Sequence, residues 1–189
     1  LLNPGFETAP AVAGFTWAAI QGNETLAQEG TIVQAGTYSL KITETATAYP
    51  GVKQKVAVGA AFNGKTVTFS AYVRTAATGH YIKVQLYEEG VYKAETQTLI
   101  TDNTWTQLSV SYAATSATAR TLEGRIQYAT DTGGNEEFYA DNAALTFSAV
   151  FSDLSDFGTP TCLQDYESGL YLGSNNGVWK WSTANTRWE

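Results

Sequence analysis

The stretch KTVTFSAYVRT at residues 65–75 decides the fold class. Every second side chain in it is apolar, namely Val67, Phe69, Ala71 and Val73. The side chains between them are polar or carry a polar end, namely Thr66, Thr68, Ser70, Tyr72 and Arg74. Because successive side chains of a β-strand point to opposite faces, the pattern predicts a strand with one face in a core and the other outside it.

Three further stretches repeat this alternation: HYIKVQLYEEG at 80–90, TWTQLSVSY at 104–112 and TLEGRIQYA at 121–129. Their inward sets are Ile82, Val84 and Leu86, then Leu108, Val110 and Tyr112, and finally Leu122, Ile126 and Tyr128. Earlier strands are predicted at 31–36, 37–43 and 51–58. Turn pairs such as Glu89-Gly90 separate the runs. Strands at this spacing predict an all-β protein with an antiparallel sandwich of the jelly-roll type.

The residue pattern of the sequence changes after Phe147. Residues 148–160 are polar and end at a proline, which is typical of a linker. Residues 161–189 alternate short apolar runs with turn pairs and predict a C-terminal β-meander. This segment resembles part of a β-propeller blade, and one blade cannot bury its own faces, so we expect a truncated repeat. The predicted domains are a jelly roll at 1–147, a linker at 148–160 and a partial β-repeat at 161–189.

Composition excludes several function classes. The 189 residues carry a formal net charge of −7 with a sequence pI of about 4.7, so we expect no nucleic-acid partner. No run approaches the roughly 18 apolar residues of a membrane span, so we expect no membrane insertion. Cys162 and His80 are the single cysteine and histidine, too few for a tetrahedral zinc site. These counts do not exclude a site for a hard cation with oxygen ligands.

Three motifs lie in order along the first domain: LLNPGFET at 1–8, QAGTYSLKIT at 34–43 and GNEEFYADNAALT at 134–146. Together with the middle strands at 63–75 and 103–112, they resemble the carbohydrate-binding modules of the family 4, 9 and 22 type. These modules have a galactose-binding-like jelly roll. The resemblance implies that a polysaccharide or another glycan is the partner.

The same resemblance implies a structural calcium ion near the joined ends of the N- and C-terminal strands. Matched residue by residue, Glu7 and Asp141 would supply carboxylate oxygens, with backbone carbonyls near Gly5 and in the loop at 34–39. Calcium takes about six to eight oxygens, so two carboxylates with carbonyls and water suffice. The alternative is that Glu7 only caps a turn and Asp141 only accepts backbone N–H bonds.

A sugar stacks its C–H faces on aromatic rings while planar polar groups bind its hydroxyls. We expect one sheet face to provide both kinds of group, namely Tyr72, Arg74, Tyr81, Lys83, Gln85, Tyr87, Arg125 and Gln127. Tyr49 and Tyr92 are expected on loops at its rim, and Trp17 and Trp105 in core or edge packing. The alternative is an ordinary solvated sheet face with tyrosines that favour β structure.

The sequence gives little support for an enzyme. Glu88-Glu89 and Glu136-Glu137 are sequence neighbours that face opposite ways on a strand, so neither pair forms an acid/base couple. We therefore expect a non-catalytic glycan-binding or adhesion module of a modular secreted or surface protein. The alternative is a structural or interaction module of a virion, such as a phage tail or head fibre, or of a surface filament, with other copies or neighbouring domains as partners. Either function implies an extracellular, cell-surface or virion-surface location.

Overall fold

The computed structural model describes residues 1–10, 12–13, 16–22, 24–44, 49–58, 65–76, 79–101, 103–114, 120–130 and 136–147. It also describes the backbone of residues 160–166, 169–174, 177–182 and 187–188. All regular elements in these ranges are β-strands, and nothing in them is a helix with the length and apolar character to cross a membrane. Contacts divide the chain into two compact units, Leu1–Ser148 and Ala149–Glu189.

The first unit contains two five-stranded antiparallel sheets. In chain order its strands are β1 (Ala18–Ala19), β2 (Thr25–Glu29), β3 (Ser39–Thr43), β4 (Gly51–Val58), β5 (Thr66–Thr75), β6 (His80–Glu88), β7 (Val91–Ile100), β8 (Thr106–Ala113), β9 (Arg120–Tyr128) and β10 (Glu137–Phe147). Sheet A has the spatial order β1-β4-β9-β6-β7, and sheet B has the order β2-β3-β10-β5-β8. The predicted antiparallel sandwich is confirmed.

The core lies between the sheets and is built from the apolar side of the alternating strands. Val67, Phe69, Ala71 and Val73 of β5 are fully buried, as are Ile82, Val84, Leu86 and Ile126 of sheet A. Burying a side chain of this size stabilises the fold by about 1.5–3 kcal/mol. Trp17 packs against the ring of Phe6 with centroids 5.1 Å apart, so its predicted place in the core is confirmed. Trp105 is half-buried.

Two glycines mark where the backbone is crowded. A Cβ at Gly124 of β9 would lie 2.8 Å from the Phe69 ring, so a larger residue there would push the two sheets apart. A Cβ at Gly51 of β4 would lie 2.4 Å from the Cβ of Gln127 on the paired strand. Both positions therefore require the absence of a side chain.

The predicted strand at 31–36 is wrong, because these residues form a loop between β2 and β3. Gly36 in this loop has φ of 76°, which departs from strand geometry. The backbone N–H groups of Gln34 and Ala35 donate to the Asp141 carboxylate rather than to a neighbouring strand. The backbone N–H groups of this segment therefore bond to a side-chain carboxylate instead of to the backbone of a paired strand.

Strand β7 was not predicted, although the turn that leads to it was. Glu89 and Gly90 have φ of 51° and 76°, as a two-residue hairpin turn between β6 and β7 requires. β7 reads VYKAETQTLI and lies at the edge of sheet A, with polar side chains on both of its faces. An edge strand without an apolar stripe lacks the period-two signal that revealed the other strands.

The second unit is a four-stranded antiparallel meander. Its strands are β11 (Pro160–Tyr166), β12 (Gly169–Ser174), β13 (Gly177–Ser182) and β14 (Arg187–Trp188), and each pairs with the next. The predicted C-terminal β-meander is confirmed. The predicted linker at 148–160 lies, except for Pro160, outside the described residues. The propeller-like character of this unit stays a prediction.

Candidate functional site

The outer face of sheet A, the side that points away from the core, carries three cross-strand rows over β4, β9, β6 and β7. The first row is Lys55, Glu123, Tyr87 and Tyr92; the second is Lys53, Arg125, Gln85 and Glu95; the third is Gly51, Gln127, Lys83 and Gln97. Neighbouring strands lie about 4.8 Å apart, so each row is about 14 Å long. This face therefore has the width of a few sugar rings.

Three polar side chains on this face are almost fully buried. The exposed fraction is 4% for Gln85, 3% for Glu123 and 7% for Gln127, although all three point away from the core. Polar side chains on an outward face normally remain solvated. Longer side chains of the same rows therefore cover these three residues.

Gln85 lies in the middle of the second row, and only the nitrogen of its side-chain amide is hydrogen-bonded. Its Nε2 donates to Glu95 Oε2 at 2.8 Å, and this bond fixes the orientation of the amide because the carboxylate accepts only from N–H. Its Oε1 is buried and meets no hydrogen-bond donor in the described part of the chain. A buried acceptor without a donor is unfavourable, and a ligand hydroxyl can supply that donor.

Aromatic and charged side chains are stacked beside this amide. The Arg125 guanidinium lies 3.8 Å from the centroid of the Tyr87 ring, and the Tyr92 ring meets Tyr87 edge-on with centroids 5.8 Å apart. Arg125 also donates from Nε to Glu123, whose other oxygen is 3.7 Å from Lys55 Nζ. Both rings are held in place by their neighbours.

Tyr92 is the more accessible of the two rings. It is 49% exposed and lies on β7 directly after the turn, so its predicted place on a loop is wrong. Desolvation, followed by the nearby charge of Glu95, raises the pKa of its hydroxyl. The hydroxyl can donate a hydrogen bond to a ligand oxygen. Tyr49 is exposed and lies just before β4.

Six of the eight predicted binding residues share the outer face of sheet A, namely Tyr81, Lys83, Gln85, Tyr87, Arg125 and Gln127. The prediction that Tyr72 and Arg74 lie on the same face is wrong, because both belong to β5 in sheet B. Alternation tells which side of its own strand a residue occupies, but not which sheet that strand joins. The chain crosses from sheet B to sheet A between β5 and β6.

Four charged members of the rows were not among the predicted binding residues, namely Lys53, Lys55, Glu95 and Glu123. Glu95 was missed because β7 was not predicted. Lys53 and Lys55 could have been found, since they alternate with Val52, Gln54 and Val56 in β4. What the sequence lacked was the pairing of β4 with β9, which places these lysines beside Arg125 and Glu123.

The carboxylates of Glu7 and Asp141 converge on the loop between β2 and β3. Asp141 is fully buried, and its Oδ2 accepts from the N–H groups of Gln34 and Ala35 at 2.9 and 3.1 Å. Glu7 Oε1 accepts from the N–H of Thr37 at 3.0 Å. The predicted alternative role for both carboxylates, accepting backbone N–H bonds, is thus observed.

The family model described as "Carbohydrate binding domain" (CBM_4_9) matches residues 1–133. This chain belongs to the carbohydrate binding domain family. The matched segment contains β4, β6, β7 and β9, and therefore all three rows on the outer face of sheet A. A comparison with curated proteins gave no match.

Solved structures share the fold of this carbohydrate binding domain. The CBM22-2 xylan-binding domain from Paenibacillus barcinonensis Xyn10C is 18% identical, with a TM-score of 0.58, covering 76% of this chain and 96% of that one. TmCBM61, solved in complex with β-1,4-galactotriose, is 12% identical, with a TM-score of 0.54, covering 77% and 96%. A Stig cyclase from Fischerella sp. TAU is 14% identical, with a TM-score of 0.60, covering 77% and 94%. At these identities the likeness shows the jelly-roll fold alone.

The residues at the predicted calcium site of this carbohydrate binding domain fit a hard cation in their chemistry. Burial raises the pKa of Asp141, the backbone N–H bonds act in the opposite direction, and the nearby charge of Glu7 raises it further. A buried carboxylate, Asp141, and an exposed one, Glu7, that raises its pKa are the ligand type that calcium prefers. No group of three or more His, Cys, Asp or Glu side chains suited to a metal occurs in the described ranges. Backbone carbonyls and water would therefore have to complete the shell.

Proposed function

We propose that the outer face of sheet A binds a polysaccharide chain without cleaving it. The observation that carries this proposal is the buried amide of Gln85, whose Oε1 lacks a donor among the described residues and which lies one row from Tyr87 and Tyr92. Membership of the carbohydrate binding domain family supports a glycan as the ligand. The names of two similar structures, a xylan-binding domain and a module with bound galactotriose, point the same way.

The chemistry of the rows matches the two kinds of surface on a sugar. The exposed ring of Tyr92, supported by Tyr87, offers an apolar platform for a C–H face. Gln85 and Gln127 offer amide groups to hydroxyls, and Lys83 and Arg125 offer further donors. Because the amides are already desolvated, a bound hydroxyl replaces little ordered water at Gln85 Oε1.

The arrangement of carboxylates supports binding without catalysis. Glu123 is bonded to Arg125 and faces Lys55, and Glu95 is bonded to Gln85 and lies 3.8 Å from Lys83. A glycosidase needs one carboxyl group that can donate a proton to the leaving oxygen. Both carboxylates on this face are engaged as acceptors of fixed cationic or amide donors. Product analysis after long incubation with each glycan checks this point directly.

We also propose that Glu7 and Asp141 hold a structural calcium ion. The ion would neutralise the two carboxylates and tie the first residues of the domain to β10. Asp141 follows Ala140 on β10, and the N–H of Ala143, just beyond Asp141, donates to the Pro4 carbonyl at 2.9 Å. The two ends of the domain therefore already meet at this corner.

We propose further that this domain is one module of a secreted or surface protein. Its support is the second compact unit, whose meander follows the jelly roll in the chain. The alternative, an interaction module of a virion or surface filament, predicts self-association or protein contacts rather than glycan binding. Light scattering of the full chain with and without glycan distinguishes the two functions.

The direct test is isothermal calorimetry of the full chain with a panel of soluble xylans, galactans and glucans. Tyr92→Ala removes the accessible platform and is expected to lower affinity for the bound glycan by about tenfold, or about 1.4 kcal/mol. Tyr72→Ala, on the opposite sheet, is the matched control and should leave affinity unchanged. Equal losses in the two variants, or no binding to any glycan, would contradict the proposal.

A further inference from the structure

We propose that the glycan bound by the outer face of sheet A is acidic and carries uronic-acid carboxylates. This inference rests on the proposed function and deepens it. Its basis is the distribution of charge over the described residues. The rows on this face bring together four cations, Lys53, Lys55, Lys83 and Arg125, against two carboxylates, Glu95 and Glu123. The chain as a whole has a net charge of −7, so this face is a local exception.

Three of the four cations lie on the neighbouring strands β4 and β9. Lys53 and Arg125 are direct partners in the pairing of β4 with β9, and Lys55 follows one pleat further along β4. Glu95 lies on β7, at the far end of the same row as Lys53. A chain lying along this row would meet positive charge over β4 and β9, and the aromatic rings over β6 and β7.

The two carboxylates do not use up this positive charge. Glu123 is shared between Arg125 and Lys55, and Glu95 lies 3.8 Å from Lys83 Nζ. Lys53 is half-buried and has no ion-pair partner within the described part of the chain. An ammonium group beside a guanidinium, with one carboxylate for two neighbouring cations, is a receptor for a further anion.

The size of the surplus selects the kind of anion. Glu89, on the turn after β6, lines one cavity with Lys55 and Glu123, so it reduces the surplus of two positive charges in the rows to one. A surplus this small matches a chain with isolated carboxylates rather than a densely sulfated one. Each partly exposed ion pair contributes modestly, so an acidic chain is expected to bind about fivefold to tenfold more tightly than its neutral counterpart at low salt. Salt screens such pairs, so the preference should shrink at about 0.5 M salt.

The test uses matched pairs of glycans with the same backbone. Glucuronoxylan and polygalacturonate are each compared with the same chain after carboxyl reduction, by calorimetry of the full chain at low and high salt. Tighter, salt-sensitive binding of the acidic member is expected. Lys53→Gln should remove most of that preference, while Lys41→Gln, on the outer face of sheet B, should retain it.

The outcomes separate this inference from the function on which it rests. Equal affinity for acidic and neutral members, or a preference unchanged by Lys53→Gln, overturns the acidic ligand but leaves glycan binding standing. Tighter binding of a sulfated chain at matched charge density overturns the assignment to carboxylates. Failure of every glycan to bind overturns the proposed function itself.

Discussion

The two outer faces of the sandwich both bury polar groups, but they satisfy them differently. On sheet B, Ser39 Oγ donates to the Ile32 carbonyl at 2.6 Å, and Asp141 accepts backbone N–H bonds from the same loop. On sheet A, the buried Gln85 retains an oxygen without a donor among the described residues. Burial of polar groups therefore does not mark a binding site by itself. The proposed site rests on an unused acceptor that lies beside exposed aromatic rings and surplus cations.

The two outer faces also differ in how their charged side chains are paired. On sheet B, Lys41 and Glu137 form a direct pair at 2.6 Å, and the hydroxyls of Thr68 and Ser111 bond each other at 2.7 Å. On sheet A, cations outnumber carboxylates. Arg74 is the exception on sheet B, because its Nε is buried without an acceptor in the described ranges. Variants at Arg74 and at Arg125 therefore test whether the two faces differ in stability as they differ in hydrogen bonding.

The largest loss of stability is expected where Asp141 on sheet B accepts backbone hydrogen bonds. Asp141→Ala leaves three backbone N–H groups, those of Gln34, Ala35 and Asn142, without their acceptor. We expect the free energy of unfolding to fall by about 2–3 kcal/mol, measured by urea denaturation in chelator. A loss well below 1 kcal/mol would show that these bonds are not needed.

Calcium should add to the stability of the same corner. At about 100-fold above its dissociation constant, a bound ion stabilises the folded state by about 2.7 kcal/mol. The melting temperature of the wild type should therefore rise with calcium and fall with chelator, and Asp141→Ala should abolish that response. An unchanged melting curve for the wild type with added calcium contradicts the site.

On sheet A, the largest loss of stability is expected for Arg125→Ala. Glu123 is almost fully buried, and this change removes the guanidinium bonded to it. We expect the free energy of unfolding to fall by about 1–3 kcal/mol. Arg74→Ala is the matched control on sheet B and should lose less, because its Nε has no acceptor to leave behind. A larger loss for Arg74→Ala would reverse the comparison.

Gln85→Leu tests the unused acceptor itself. Leucine has a similar volume but no amide, so the variant should fold and should bind the glycan about tenfold more weakly, measured by calorimetry. Gln107→Leu on β8 makes the same exchange on the outer face of sheet B and should bind like the wild type. Retained affinity in Gln85→Leu would remove the observation on which the proposed function rests.

The smallest effect is expected from pH. Because burial raises the pKa of Asp141, the folded state holds its proton to a higher pH than the unfolded chain does. The stabilisation from this group is therefore complete below its unfolded pKa and is lost as pH rises through the raised value. Glu7→Gln removes the like charge, so in chelator it should be slightly more stable than the wild type at neutral pH. The two should converge in acid; a constant difference would contradict this assignment.

The sequence alone predicted the parts of the fold in which apolar and polar residues alternate along a strand. The inward sets of β5, β6 and β9 are buried. The outward residues lie together as expected, namely Lys83, Gln85, Tyr87 and Arg125. Tyr72 and Arg74 were misplaced because sheet membership depends on crossovers between distant strands. The unfilled Gln85 oxygen could not be predicted either, since it depends on Glu95 across the strand pair β6 and β7.

The most direct test of the central claim is a backbone-amide NMR titration of the full chain with the tightest-binding oligosaccharide of the panel. Binding to the outer face of sheet A should shift amides of β4, β6, β7 and β9, strongest around Gln85 and Arg125, and leave β5 and β8 unchanged. Shifts confined to β3, β5, β8 and β10 would place the ligand on sheet B and rule out the proposed binding face.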